Sequence, residues 1–296
     1  MGYLNKGQWV VGDFPIKSGA FVREAAGFRG KIDPLEIQED PNRFELYVSH
    51  ACPWAHRTLI FRELLGLESY IPVHVVDPYM SEEGWSFEKP EPNLGGSYLR
   101  DIYAVHQDYV GRVTVPVLWD RKKQEIRNNE SSEIIAMLNS CWRDVHPSSF
   151  NLIPEDQLDQ IIELNEWIYQ HINNAVYRTG FATEQEIYET ECQALFQALD
   201  ILDERLGKSE YLLGSEILEP DIRLFVTLIR FDWVYVGHFK CNIRRIKDYP
   251  NLSLYVDKMH QLLSTTVNKD HIKQHYYMSH PKINPNQIIP LGPIDD

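Results

Sequence analysis

The sequence predicts two domains, an α/β domain followed by an all-helical one. Its 296 residues are about twice the length of a common domain. Strand-like and helix-like segments alternate through the first half, and no strand pattern follows the Pro- and Ser-containing stretch that begins at His146. We therefore predict an α/β domain over residues 1–145 and a helical bundle over residues 146–296.

The elements of the first domain follow from apolar runs and the residues that bound them. Residues 44–49 and 70–77 are short and rich in β-branched and aromatic side chains, which predicts strands. Between them, residues 53–66 predict a helix that begins at a proline and ends at a glycine. A hairpin and a helix follow: residues 113–120, 125–127 and 131–141. The order β-α-β, then β-β-α, is that of the thioredoxin fold, interrupted by a long insertion over about residues 78–112.

The second domain shows helical periodicity throughout. Apolar residues recur at helical spacing over residues 158–176 and, in steps of four and three, from Tyr188 to Leu206. Residues 221–236 are apolar nearly all round, as expected of a helix buried inside a bundle. Two shorter helices, residues 252–263 and 266–276, precede an extended tail.

The amino-acid composition limits the classes of partner and the cellular compartment that we expect. Asp and Glu total 43 against 29 Lys and Arg, a net charge of −14. A field of that sign repels phosphate backbones and anionic lipids, so we expect neither nucleic acid nor a membrane surface as a partner. No apolar run approaches the ~20 residues of a membrane span, and the first residues lack the pattern of a secretion signal. Four cysteines are too few for a disulfide scaffold, so we expect a reduced, cytoplasmic protein.

Cys52 is the candidate nucleophile. It follows a predicted strand, and Pro53 suits the first position of a helix, where free N–H groups and the helix dipole stabilise a thiolate. Cys192 lies on a helical core stripe and Cys141 at a helix end, so we interpret both as packing residues. Position 55 is alanine, so the chain has no CxxC motif, and an external thiol must complete any redox cycle.

Histidines around Cys52 raise two other interpretations. A Cys–His dyad with His50 or His56 would indicate acyl transfer, but no oxyanion or substrate motif accompanies it. A metal site of Cys52, His56 and either His238 or Cys241 lacks compact ligand spacing, so we expect no metal.

A further histidine pair lies late in the chain. His271 and His275 are four residues apart on the last predicted helix, which places them on one face. Histidines at this spacing are more often surface residues than ligands, and we interpret them so.

Longer motifs run along the whole chain. Around Cys52 the chain reads LYVSHACPWAHRTLIFRELLGLE. The others are GAFVREAAGFRGKI, EEGWSF, VTVPVLWD, RNNESSEI, NNAVYRTGFAT, RLFVTLIRFDWVYVGHFKCN and HYYMSHPKINP. Together they resemble the glutathionyl-hydroquinone reductases, the Xi class of the glutathione transferases. The CPWAHR segment is similar in Omega-class transferases, so the assignment rests on the C-terminal motifs.

The resemblance implies a fold, a reaction and an assembly. The fold is that of the glutathione transferases, and the expected assembly is a homodimer. The expected reaction removes glutathione from a glutathionyl-hydroquinone through a mixed disulfide between Cys52 and glutathione, and it releases oxidised glutathione. One departure is visible, because Ala175 stands where the family usually has glycine. If that position requires a positive φ, alanine would be strained there.

The resemblance also implies a glutathione site. Its residues are Trp85, Arg112, Val115, Pro116, Glu130 and Ser131. Val115 precedes a proline expected to be cis and would pair its backbone with the ligand. Glu130 and Ser131 begin a helix, whose N–H groups suit the γ-glutamyl carboxylate while Glu130 pairs with the amine. A plain helix cap would account for Ser131 without explaining Glu130, and Trp85 could equally be an aromatic anchor of a loop.

The resemblance also implies an aromatic substrate, because Tyr177, Tyr235 and one of the consecutive pair Tyr276 and Tyr277 match the tyrosines of the family's hydroquinone site. Tyrosine offers a flat face to the ring, and a phenol can protonate a leaving group. We expect Tyr177 and Tyr277 to act with Cys52 in catalysis.

Two alternative functions share these residues. An Omega-like thioltransferase or dehydroascorbate reductase would use the same cysteine and glutathione site. A non-catalytic glutathione-fold module would bind glutathione without turnover.

Overall fold

A four-stranded mixed sheet organises the first of two units in the computed structural model, which describes residues 2–12 and 26–294. The strands are β1 Gly2–Asn5, β2 Gln8–Val11, β3 Phe44–Val48, β4 Val73–Val75, β5 Met80–Ser81, β6 Gly84–Trp85, β7 Val110–Gly111, β8 Val117–Asp120 and β9 Glu125–Asn128. The α-helices are α1 Pro34–Glu39, α2 Pro53–Leu64, α3 Leu99–Ala104, α4 Ser131–Cys141, α5 Leu158–Ile168, α6 Ala175–Gly180, α7 Gln185–Leu206, α8 Glu219–Arg230, α9 Val236–His238, α10 Pro250–Leu263 and α11 Lys269–Ser279.

Helix α11 belongs to the first unit, although it comes late in the chain. The first unit comprises residues 2–12, 26–150 and 270–279, and the second comprises residues 151–269 and 280–294. The sequence prediction, with its single boundary after residue 145, placed this helix in the second domain instead. The start of the GAFVREAAGFRGKI motif lies outside the described residues.

The central sheet has the predicted order of elements. Its strands run β4-β3-β8-β9, with β3 and β4 parallel and the other pairs antiparallel. Helix α2 ends at Leu64 because Gly66, with φ of +68°, turns the chain away. Strand β4 is shorter than predicted. The amides of Tyr70 and Ile71 donate to the carbonyl oxygen of Leu67, so these residues form a turn after α2.

A strand pairing and a set of hydrogen bonds connect the insertion to the rest of the first unit. Strand β7 pairs with β1, which extends the hairpin of β1 and β2 into a three-stranded sheet. Glu91 is buried, and its carboxylate accepts hydrogen bonds from the Tyr47 hydroxyl at 2.7 Å and from the amides of Leu94 and Gly96 at 2.7 and 3.1 Å. A buried carboxylate with several donors fixes the loop that surrounds it.

The second unit is a helical bundle with α8 at its centre. Eleven of the twelve residues of α8 are buried, which confirms the predicted burial, but the predicted helix over residues 221–236 is interrupted by a π-helical turn, Phe231–Tyr235. The predicted helix over residues 158–176 is interrupted, because a π-helical turn, Tyr169–Asn173, separates α5 from α6. Asn173 Nδ2 donates to the carbonyl oxygen of Arg223 and to the hydroxyl of Thr227, both at 2.8 Å, and this ties the turn to α8.

Ala175 is accommodated without strain. It is the first residue of α6, it is not among the described non-glycine residues with a positive φ, and it is buried. A right-handed helical position favours alanine over glycine. The strain considered for this position is therefore not observed.

None of the described helices is long and apolar enough to cross a membrane.

Candidate active site

Cys52 lies at the N-terminus of α2. It is the N-cap residue, Pro53 occupies the first helical position, and the Cys52 amide donates to the carbonyl oxygen of Ser49 at 3.2 Å. Its side chain is half-buried, and Sγ lies 3.6 Å from the carbonyl oxygen of Val115. The first N–H groups of a helix have no partner within it, so they and the helix dipole can stabilise a thiolate here.

The other three cysteines are buried. Burial raises the pKa of Cys141, Cys192 and Cys241 above the value of a free thiol. The packing roles predicted for Cys141 and Cys192 agree with these positions. A substrate sulfur therefore has its best access to Cys52.

The alternative interpretations of Cys52 find no geometric support. Among the described residues, the hydrogen-bond partner of its Sγ is the carbonyl oxygen of Val115 rather than His50 or His56. His56 is fully buried within α2. Over residues 2–12 and 26–294, no group of three or more His, Cys, Asp or Glu side chains is placed to hold a metal ion.

The chain beside Cys52 is held by a residue that the sequence did not indicate. The bond between Val115 and Pro116 is cis, as predicted. The Tyr103 hydroxyl donates to the carbonyl oxygen of Thr114 at 2.7 Å and accepts from the Thr114 amide at 3.3 Å and from Asn129 Nδ2 at 3.1 Å. This buried hydroxyl therefore joins the segment before Pro116 to the segment before α4.

The N-terminus of α4 differs in detail from the prediction. Glu130 is itself the N-cap, and its Oε1 accepts from the amide and the hydroxyl of Ser132 at 3.1 and 2.9 Å. Capping, which was considered for Ser131, is thus a role of Glu130. Ser131 is the first helical residue and is buried. The amides of Ser132, Glu133 and Ile134 already donate to Glu130, so the amide of this turn that can bind a carboxylate is that of Ser131.

Trp85 and Arg112 come from the insertion. The Trp85 indole is 7% exposed and stacks on the imidazole of His275, with ring centroids 4.7 Å apart and an interplanar angle of 22°. Arg112 is half-buried, and its carbonyl oxygen accepts a hydrogen bond from the Tyr109 hydroxyl at 2.7 Å. The indole is therefore anchored by a residue of α11.

The surface interpretation of His271 and His275 is wrong. Both are 8% exposed, because this face of α11 packs within the first unit. His275 Nδ1 lies 2.9 Å from the carbonyl oxygen of Pro78, and His271 Nε2 lies 3.1 Å from Ser49 Oγ. Spacing alone could not reveal this, since the partners are about 200 residues away along the chain.

The four candidate tyrosines fall into two pairs. Tyr177 and Tyr235 belong to the second unit, where their rings meet edge to face with centroids 6.2 Å apart. Tyr276 and Tyr277 are consecutive residues of α11 in the first unit, and both are buried. Burial raises the pKa of Tyr277 to about 12, so its phenol keeps its proton at neutral pH.

The sequence models of two domain families match the chain. Glutathione S-transferase, N-terminal domain, matches residues 51–141, and Glutathione S-transferase, C-terminal domain, matches residues 185–258. The first match includes Cys52, Val115 and the start of α4.

Two relatives are similar to this chain over nearly its whole length. Glutathionyl-hydroquinone reductase PcpF from Sphingobium chlorophenolicum is 47% identical over 99% of this chain and 96% of its own. Glutathionyl-hydroquinone reductase YqjG from Escherichia coli is 44% identical over 100% and 96%.

Solved structures agree with these relatives. Glutathione S-transferase Xi from Phanerochaete chrysosporium has a TM-score of 0.90 and 45% identity, with 93% of each chain covered. The glutathione-bound structure of E. coli YqjG has a TM-score of 0.83 and 47% identity, with 86% of each chain covered.

Proposed function

Because the chain belongs to the glutathionyl-hydroquinone reductases, the Xi class of the glutathione S-transferases, we propose that it reduces glutathionyl-hydroquinones to hydroquinones with glutathione as the reductant. The glutathione-bound relative supports glutathione as the co-substrate. The observation that carries the proposal is the position of Cys52, a half-buried thiol at the start of α2 with Sγ facing the carbonyl oxygen of Val115.

In the first step, the Cys52 thiolate attacks the sulfur of the glutathionyl-hydroquinone. An S–S bond forms and the C–S bond breaks, and its electron pair passes to the aryl carbon, which takes up a proton. The products are the free hydroquinone and a mixed disulfide between Cys52 and glutathione. The substrate carbon is thereby reduced and the two sulfurs are oxidised.

In the second step, the thiolate of another glutathione attacks the glutathione sulfur of the mixed disulfide. The new S–S bond gives oxidised glutathione, and Cys52 leaves as a thiolate. Ala55 stands where a CxxC motif would have its second cysteine, which is why this step is assigned to an external thiol.

The glutathione site is assigned within the first unit. The Val115 backbone next to Pro116 pairs with the cysteinyl part of glutathione. The first turn of α4, with Ser131, binds the γ-glutamyl carboxylate, and Glu130 pairs with the α-amine through Oε2, since Oε1 already accepts two hydrogen bonds. Two residues of the insertion complete the site, Arg112 as a carboxylate partner and Trp85 as a wall.

The aryl group is assigned to tyrosines. On the family resemblance alone, Tyr177, Tyr235 and one of Tyr276 and Tyr277 are proposed to contribute ring faces and phenol groups. Tyr177 and Tyr277 are proposed as the proton donors to the aryl carbon, and the raised pKa of Tyr277 supports its presence as a phenol.

The test is steady-state reduction of glutathionyl-menadiol by glutathione, with wild type and Cys52→Ser compared. We expect turnover in the wild type and loss of at least about a thousandfold in the variant, because serine cannot form the mixed disulfide. Cys141→Ala is the matched control, since it removes a buried thiol from the same unit and should retain activity. Full turnover in Cys52→Ser would refute the mechanism.

Other outcomes point to the alternatives. A wild type that ignores this substrate and reduces small mixed disulfides is an Omega-like thioltransferase. Glutathione binding without turnover on either substrate indicates a binding module.

Assembly and location are also proposed. We infer a homodimer from the family, which light scattering would test. We infer a cytoplasmic location because four free cysteines and a glutathione-dependent reaction suit a reducing compartment.

A further inference from the structure

One face of α11 carries three polar side chains that hold the first unit. His271, His275 and Ser279 follow one another at intervals of four residues, and this spacing aligns them along one side of the helix. They contact three separate points: Ser49 Oγ, the carbonyl oxygen of Pro78 and the amide of Met80, at 3.1, 2.9 and 3.0 Å. All three side chains are buried.

The first contact lies three residues from the nucleophile. The Ser49 hydroxyl is fully buried, accepts the Ala51 amide at 3.2 Å and meets His271 Nε2 at 3.1 Å. The carbonyl oxygen of the same serine accepts the amide of Cys52 at 3.2 Å. Ser49 therefore accepts hydrogen bonds from the amides of Ala51 and Cys52, in the short turn that leads to the start of α2.

The hydrogen bond between Ser49 Oγ and His271 Nε2 can form whether or not Nε2 carries a proton. Ser49 Oγ has two lone pairs and one proton, so it can accept from Ala51 and either donate to His271 Nε2 or accept from it. Loss of a buried hydrogen bond lowers stability, because the polar groups that it joined are left without a partner. The imidazole also contacts the ring of His50, with centroids 5.4 Å apart.

We propose that His271 is a positioning residue for the Cys52 thiolate and acts through Ser49. The imidazole holds the Ser49 hydroxyl, the hydroxyl and carbonyl of Ser49 hold the turn, and the turn places Cys52 as the N-cap residue of α2, with Sγ near the carbonyl oxygen of Val115. That Cys52 is the nucleophile rests on the proposed function. The positioning itself is a property of the free protein.

The experiment measures alkylation of Cys52 by iodoacetamide at pH 7 and at pH 9.5. The rate at pH 9.5 reports access to the sulfur, because an ordinary thiol is mostly ionised there. The rate at pH 7 divided by the rate at pH 9.5 reports how strongly the folded protein stabilises the thiolate at neutral pH. The variants are Ser49→Ala, His271→Phe, His271→Gln and the double variant Ser49→Ala/His271→Phe.

We expect Ser49→Ala and His271→Phe each to lower the ratio about two- to tenfold, the range of one hydrogen bond. His271→Gln should recover most of the wild-type ratio, because the glutamine amide can reach the position of Nε2. The double variant should fall no further than the worse single variant, since both changes break one unit. Ser279→Ala is the matched control on the same helix and should keep the wild-type ratio.

Three results would overturn the proposal: a wild-type ratio in His271→Phe, equal losses in His271→Gln and His271→Phe, or additive losses in the double variant. Thermal unfolding checks that each protein is folded, and Ser49→Ala with His271→Gln carries the test if the phenylalanine variant does not fold. Alkylation needs no hydroquinone. A protein that shows the expected ratios but no reductase turnover would refute the proposed function and leave the positioning role intact.

Discussion

Replacing Tyr103 with phenylalanine removes one oxygen atom from beneath the proposed glutathione site. The ring volume is unchanged, so the perturbation is limited to the hydroxyl and its hydrogen bonds. That hydroxyl is buried and joins Thr114, next to Val115, to Asn129, next to Glu130. The variant therefore tests whether the two glutathione-binding segments depend on a common support.

The magnitude follows from the partners that remain. In Tyr103→Phe, three groups lose a partner inside the protein: the carbonyl oxygen and the amide of Thr114 and Nδ2 of Asn129. A buried group left without a partner costs about 1–3 kcal/mol, and partial relaxation reduces the sum. We expect the free energy of unfolding to fall by about 2–3 kcal/mol. Misplacement of the two segments should raise KM for glutathione about three- to tenfold, whereas kcat should change less than about threefold, because the hydroxyl of Tyr103 bonds Thr114 and Asn129 rather than the thiol.

The assay varies glutathione at saturating glutathionyl-menadiol, with glutathione binding measured by calorimetry. Tyr188→Phe is the matched control, because its hydroxyl also donates to a carbonyl oxygen, that of Lys240 at 2.8 Å, but in the second unit. A folded Tyr103→Phe protein with wild-type KM and affinity would refute the reasoning. A loss of kcat alone would show that the hydroxyl acts on the thiol instead.

Three further predictions concern stability and thiol access. Asp221→Asn should lower the free energy of unfolding at pH 4 by about 1–3 kcal/mol in urea titrations, because the carboxyl group accepts the amides of Leu212 and Leu218 and an amide group cannot replace both oxygens; at pH 7 the cost of burying the charge offsets this loss. Burial raises the pKa of Asp221 from 3.8 to about 6, so between these pH values the folded protein keeps a proton that the unfolded chain releases. The contribution of this carboxyl to the free energy of unfolding should therefore fall by about 3 kcal/mol as the pH rises from 3.8 to 6. Asp221→Asn should not show this fall. Gly180→Ala should lower the melting temperature by several degrees, since a Cβ there would lie 2.3 Å from the Phe239 ring. Brief treatment of the native protein with iodoacetamide should add one label, at Cys52, by mass spectrometry, and two or more labels would contradict the burial of the other thiols.

Local signals in the sequence predict the elements around the thiol well. Proline at position 53 and glycine at position 66 mark the beginning and end of a helix through backbone geometry that depends little on distant residues. Helix α4 has the bounds that the sequence predicts, Ser131–Cys141, for a similar reason. The position of Cys52 at a helix N-terminus therefore follows from the residues on either side of it.

The supports of the site could not be derived in the same way. Ser49 and His271 are 222 residues apart, and Tyr103 reaches Asn129 from helix α3 of the insertion. Neither periodicity nor composition encodes such contacts, because they depend on how elements pack. The role of Glu130 as the helix cap shows the same limit at short range, since a serine next to it is the commoner cap.

The position of α11 has a consequence for synthesis on the ribosome. The rest of the first unit ends at residue 150, and roughly 120 residues separate it from this helix. At about 5–20 residues per second, the nascent first unit waits about 6–24 s before its last helix is made. During that interval the turn that carries Cys52 lacks the histidine that holds it. A premature stop codon late in the gene would remove part of the unit that was translated first.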